Sequence, residues 1–329
     1  LIKDQWPDAA VSLATGRGAL QGRTAVGEVV DRAARSLQDP QFETGGSAER
    51  HGIRIDELSA RLLEGRFHHT PRPSGALLLS EEKEGDSSRL LLGKPTPCVG
   101  RDTELGILDG QLVSCLEEPQ SQAVLIVGQP GSGKSRLRHE FLRRVEKRGE
   151  EILVIVGRAD LMTAGTPYAI LGQALRKLSG IHGGESPEAQ CAALSAQLGR
   201  HVDASERTRI VEFIGELCGI AFLETPGSLL QQARSDPRLR HDQIRRAFTD
   251  WLTAECQAGG VLFVLDDLQW ADTLSVGLLD IALRELRSLP LCVMALARPE
   301  VREVFPKLWP GQRLQEISLK PLSRKACER

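Results

Sequence analysis

From residue 98 to residue 319 the chain alternates apolar runs with long amphipathic stretches, the pattern of an α/β fold. The runs lie at 123–127, 152–156, 261–265 and 291–297, with a weaker one at 314–319. The first four are continuous rather than alternating, which predicts parallel strands covered on both faces. Between them Leu137, Phe141 and Val145 form an i, i+4, i+8 stripe. Ile244, Ala247, Phe248, Trp251 and Leu252 follow i, i+3, i+4, i+7, i+8, so each stretch predicts a helix. A further helix is expected over 274–286, capped by Asp272 or Thr273 and stopped before Pro290. The interval from Gly157 to about Gly260 is too long for a simple crossover and must hold extra helices, with 210–217 one candidate.

The first 92 residues differ. They hold one helical pattern, a few short apolar runs and a polar stretch at 81–88, shortly after Pro71 and Pro73. That is linker chemistry, with little apolar surface to bury. The expected divisions are therefore a first region over 1–70, a linker over 71–96, an α/β domain over 97–319 and the start of another element over 320–329. A length of 329 residues suits two or three domains.

Composition narrows the class without deciding it. Hydrophobic residues make up 41% and charged residues 26%, so a disordered or fibrous chain is excluded. The 42 Lys and Arg nearly balance 44 Asp and Glu, so no general basic footprint for nucleic acid exists and no nucleic-acid partner is expected from this region. No apolar run reaches the roughly 18 residues of a membrane span. The seven cysteines show no CxxC pair and no zinc spacing, and they read as reduced thiols of a cytoplasmic protein. The chain opens at Leu1 without a leader segment and reads as a piece of something longer.

Residues Gly128, Gln129, Pro130, Gly131, Ser132, Gly133, Lys134 and Ser135 fit G-x-x-x-x-G-K-[ST]. Glycines let such a loop curl so that successive backbone N–H groups form an anion nest, and the following helix aims its positive end at the same point. Lys134 would reach the β- and γ-phosphates, and the Ser135 hydroxyl would ligate Mg²⁺. A second metal anchor is expected from the other side. The run 261–265 ends in Asp266 and Asp267, the first suited to the Mg²⁺ shell and the second to orienting or deprotonating the attacking water. Arg298 follows the fourth run, on the edge where α/β sheets bind ligands. It either reads the γ-phosphate or is an exposed arginine before Pro299. Arg136, Arg138, Arg143, Arg144, Lys147 and Arg148 are interleaved with Glu140, Glu146 and Glu150, and the set reads as a solvated helix face. Trp251 and Trp270 read as packing residues.

The segments 98–105 (CVGRDTEL), 128–135, 265–272 (LDDLQWAD) and 295–300 (ALARPE) occur in the order of the STAND branch of AAA+-like ATPases, which the chain resembles over about residues 97–329. The resemblance implies five parallel strands in order 5-1-4-3-2 and ATP as the nucleotide. It also implies an adenine-side role for Val99, Gly100 and Arg101, and residues 320–329 as the start of a truncated helical lid. Residues 10–16 and 26–35 resemble the last third of a class III nucleotide cyclase domain, with Arg35 at the position that stabilises the reacting phosphate and Asp31 where that family has asparagine. The metal-binding aspartates of that family are absent, so the resemblance implies a regulatory remnant. The module order resembles the rear portion of multidomain bacterial serine/threonine protein kinases, although no kinase glycine loop, HRD or DFG is present.

The reading from sequence is thus an ATP-binding, slowly hydrolysing signalling ATPase. Its partners are ATP, ADP and other domains of the same longer chain, with an ATP-dependent oligomer also open. Two other readings stay open: a nucleotide-holding scaffold without turnover, and a nucleotide cyclase.

Overall fold

The computed structural model describes residues 9–16, 19–21, 24–38, 52–63, 67–72, 75–81, 90–91, 94–95, 98–161, 163–181, 184–311 and 314–320. The chain divides at Pro97/Cys98 into two compact units.

In the second unit the apolar runs are strands: β1 (Gln122–Gly128), β2 (Ile152–Arg158), β3 (Gly260–Asp266), β4 (Leu291–Ala297) and β5 (Leu314–Leu319). They form one sheet in the order β5-β1-β4-β3-β2, and every pairing is parallel. All seven residues of β1, β3 and β4 are buried, which is why their sequence does not alternate. The edge strands β2 and β5 are buried only in part.

The period of two still sorts residues between the faces. Val124, Ile126, Leu262, Val264, Met294 and Leu296 pack against α1 (Asp102–Glu117) and α2 (Lys134–Arg148), whose contributions include Leu105, Leu108, Leu112, Leu137, Phe141 and Val145. Leu125, Val127, Phe263, Leu265, Val293 and Ala295 face the other way. They meet helices supplied largely by the long β2–β3 connection: α3 (Ala169–Leu178), α4 (Pro187–Leu198), α5 (Arg207–Cys218), α6 (Leu229–Ser235) and α7 (Pro237–Ala258). Trp251, Phe248 and Phe213 of this set are fully buried. The helix α8 (Thr273–Glu285) completes that layer, and α9 (Val301–Val304) follows β4.

Helix starts follow their caps. Ser186 and Asp236 cap α4 and α7 through their side chains, each followed by a proline at the first helical position. Asp272 caps α8 and does more. Its Oδ1 accepts from Ser275 N at 2.8 Å and from Tyr168 N at 2.9 Å, and its Oδ2 accepts from Ile170 N at 3.4 Å. Tyr168 stands at φ 57°, an uncommon conformation for a non-glycine residue, and its backbone is held there by this one carboxylate. The turn after β3 is thereby tied to the start of α3.

The first unit contains a four-stranded sheet of Ser12–Leu13, Ile53–Ile55, Gly75–Glu81 and Phe67–Arg72, in that order. Ile55, Ala60 and Ala76 form its small core. The linker expected over 71–96 therefore gives way to strand over 75–81, because Ala76 and Leu77 are buried there and only the polar residues beyond lack apolar surface. Arg35 lies on the helix Glu28–Gln38, exposed, with Nε donating to Asp31 O at 3.3 Å. Residues 82–88 of the polar stretch and 321–329 of the expected lid lie outside the described residues. No described helix is long and apolar enough to cross a membrane.

Two outcomes follow from the Asp272 junction. Asp272→Ala removes a helix cap and strands two buried N–H groups, so it lowers unfolding free energy in urea by about 2–4 kcal/mol, with Asp272→Asn costing less. Burial, helped by the charge of Asp272, pushes the Tyr168 phenol up to about 12. A folded-state value above the unfolded one means that this contribution to stability is complete below pH ~10 and disappears as pH rises through about 12. Tyr168 is the sole tyrosine, so phenolate absorbance during alkaline titration reports this group alone.

Candidate functional site

The C-terminal ends of β1, β3 and β4 lie side by side, and the sequence changes character there. After β1 the loop 129–133 turns sharply into α2. Gly131 and Gly133 have φ of 78° and 91°, backbone that other residues adopt only with strain. At Gly128 a Cβ would sit 2.5 Å from Ser132 Oγ and 3.0 Å from Leu319 Cβ, so the loop closes only over a hydrogen atom. Gly133 supplies no side-chain cap, which leaves the first-turn N–H groups of a 15-residue helix facing the loop region uncapped.

Lys134 is buried at 9% exposure, with Nζ donating to Gly128 O at 2.6 Å and Gln129 O at 3.2 Å. Burial holds its ammonium below the usual range, opposed by the charges of Asp267 and Asp266 and reinforced by that of Arg298. Gln129, Pro130, Gly131, Gly133 and Ser135 are exposed around it. Ser132 Oγ is buried with no hydrogen-bond partner among the described residues.

Arg101 braces this loop from below. The residue is 6% exposed, and its guanidinium donates to Ser132 O and Lys320 O, both at 2.8 Å, and to Glu104 Oε1 at 2.8 Å. Of the three residues expected beside a base, Val99 is half-buried and Gly100 exposed, while Arg101 is spent on the protein itself.

At the end of β3, Asp266 is 5% exposed and Asp267 stands at φ 57°. Asp266 Oδ1 accepts from Asp267 N at 3.1 Å, and Oδ2 lies 3.4 Å from Arg138 Nη1. Burial pushes the Asp266 carboxyl above its usual range, with Arg138 opposing. Asp267 Oδ2 lies 3.5 Å from Arg158 Nε at the end of β2, and Oδ1 accepts from Gln269 Nε2 at 3.1 Å. Gln269 Oε1 in turn accepts from Arg298 N at 2.9 Å, and the Arg298 guanidinium sits 4.8 Å over the Trp270 ring.

These residues fit a triphosphate with Mg²⁺. The curled glycine backbone, the uncapped helix start, the buried ammonium and the orphan Ser132 hydroxyl are an anion-binding set. One exposed hydroxyl, Ser135, and one carboxylate, Asp266, suit Mg²⁺, which keeps most of its shell for water and phosphate oxygens. Among the described residues no group of three or more His, Cys, Asp and Glu gathers as an all-protein metal cage.

The structure thus brings Lys134, Ser135, Asp266, Asp267 and Arg298 to one sheet edge. Sequence reading missed the contacts of five residues. Arg138 belongs to the set expected as a solvated face, yet its side chain is 14% exposed and lies against Asp266. Arg144 also turns inward enough to meet Asp109 of α1 at 2.8 Å. Arg158 was detectable as a cation closing an apolar run. The bracing by Arg101 and the bridge by Gln269 depend on loops whose paths the sequence does not specify.

Residues 97–294 match the family model described as the AAA ATPase domain. A curated relative, an uncharacterized protein of Rhizobium meliloti (strain 1021), is 29% identical over 206 residues, covering 62% of this chain and 19% of its own length. The chain therefore spans about a fifth of that relative. Among solved structures, Drosophila ORC bound to DNA aligns at 11% identity and a TM-score of 0.30, over 69% of this chain and 95% of that one. Drosophila ORC bound to AT-rich DNA and Cdc6 aligns at 11% identity and a TM-score of 0.29, over 69% and 61%. With the family model matching more than half of its length and the loop, strand ends and parallel sheet described above, this chain belongs to the AAA ATPase domain family.

Proposed function

We propose that the chain is the Mg²⁺-dependent ATP-hydrolysing switch of a longer, multidomain regulator of the STAND type. The observation that carries the reading is the edge where β1, β3 and β4 end side by side: the buried Lys134 follows the loop after β1, Asp266 ends β3 with Asp267 next to it, and Arg298 follows β4. A phosphate-binding lysine, two carboxylates and a second cation at one strand edge form the minimum set for phosphoryl transfer to water.

In this reading the 129–133 backbone and Lys134 hold the β- and γ-phosphates. Ser135 and Asp266 hold Mg²⁺, which when bound supplies charge neutralisation at the phosphate oxygens. Asp267, its two oxygens engaged by Gln269 and Arg158, orients the attacking water and receives its proton. Arg298 meets the γ-phosphate and reports its loss, and other domains of the longer chain receive that change.

One observation favours a second reading. Both carboxylates face arginines, Asp266 at 3.4 Å from Arg138 and Asp267 at 3.5 Å from Arg158, an arrangement that suits a nucleotide-holding scaffold at rest.

Variants separate the readings. Lys134→Ala loses charge-assisted hydrogen bonds to phosphate and weakens ATP binding about 10- to 100-fold by calorimetry, and unchanged affinity would contradict both readings. Asp267→Asn leaves ATP affinity in place and lowers phosphate release about 10²- to 10⁴-fold. Equal release by wild type and Asp267→Asn would favour the scaffold.

A further inference from the structure

Between Asp267 and Arg298 stands one buried side chain that the proposed mechanism does not use, the amide of Gln269, 6% exposed in the short 3₁₀ turn Leu268–Trp270. Its orientation is fixed by chemistry rather than by choice. The Arg298 backbone N–H can only donate, so the amide oxygen must face it, at 2.9 Å. The amide nitrogen is then committed to Asp267 Oδ1, at 3.1 Å.

The two ends of this bridge matter for different reasons. Asp267 holds an uncommon backbone conformation at φ 57° and ψ 42°, and its side chain is 15% exposed, so its carboxylate points among protein partners. One carboxylate oxygen has Gln269 as its hydrogen-bond donor, and the other has Arg158 at the longer distance of 3.5 Å. Arg298 is the first residue after β4, where the sheet hydrogen bonding to β3 has already ended. Its N–H bonds the amide of Gln269, and its guanidinium lies over the neighbouring Trp270. The three-residue turn therefore grips Arg298 by backbone and side chain, and grips Asp267 by its carboxylate.

We propose that Gln269 is the positioning residue of the site: its amide fixes the direction of the Asp267 carboxylate and makes that direction depend on where Arg298 stands. A shift of the β4 end would move the acceptor's partner, and the amide would carry the shift to Asp267 within a single side chain. The proposal rests on the roles given above to Asp267 and Arg298, and it adds a link between them.

The bridge can be cut at one end only. Gln269→Glu keeps an oxygen for the Arg298 N–H and replaces the donor to Asp267 with a second carboxylate, while Gln269→Leu removes both ends. In steady-state ATP hydrolysis by the full chain, Gln269→Glu is expected to lower kcat about 10- to 100-fold, the scale of a misdirected catalytic group, with KM for ATP within about threefold of wild type. Hydrogen exchange at the Arg298 amide stays slow in Gln269→Glu and becomes fast in Gln269→Leu, whose kcat falls at least as far. Wild-type kcat in Gln269→Glu, or a risen KM with kcat unchanged, would overturn the proposal while leaving the ATPase reading intact. Absence of ATP turnover by the wild-type chain would overturn that reading and this link together.

Discussion

A parallel strand covered on both faces has no room for charge along its length, and three such strands govern this molecule. β1, β3 and β4 are buried at all seven of their positions, so polar chemistry can begin only where each strand stops. The parallel pairing puts all three stops on one edge. Gly128, Asp266 and Ala297 are the last residues of these strands, and the phosphate-type loop, the paired carboxylates and Arg298 follow from them directly. The two helical layers serve the same constraint, α1 and α2 on one face and the β2–β3 insertion with α8 on the other.

Charge at that edge is expensive, and the structure balances it in pairs. Asp266 has Arg138, Asp267 has Arg158 and Gln269, and Lys134 has the carbonyls of Gly128 and Gln129. Burial still pushes Asp266 up and Lys134 down, so each charged form is held at some cost that a phosphate or a divalent cation would relieve. Arg101 supports the loop from the protein side, joining Ser132 to Lys320 at the end of the described chain. One side chain thereby joins the loop to the residue that follows β5.

Much of this was legible in the residues. Continuous apolar runs marked the strands because burial on both faces removes alternation. The 137/141/145 and 244–252 stripes marked α2 and α7, and Asp272 marked the start of α8. The loop was readable as a spaced glycine motif, and the two carboxylates as the polar end of an apolar run. Side-chain direction was not readable. Arg138 shares a helix with exposed arginines and differs from them only by rotation about the axis, which places it on Asp266. Arg101 sits in a motif whose resemblance points to a base, yet its own contacts are with the loop. The linker expected over 71–96 includes the strand 75–81, where Ala76 and Leu77 are buried, Ala76 within the small core of the first unit.

The central claim is that this edge binds ATP with Mg²⁺ and turns it over. Calorimetric titration of the chain with ATP, with and without Mg²⁺, while phosphate release is followed on the same sample, tests it most directly. The account predicts saturable binding, tighter with Mg²⁺, and slow release that stops when the cation is chelated. Heats no larger than dilution, with no phosphate formed, would contradict it.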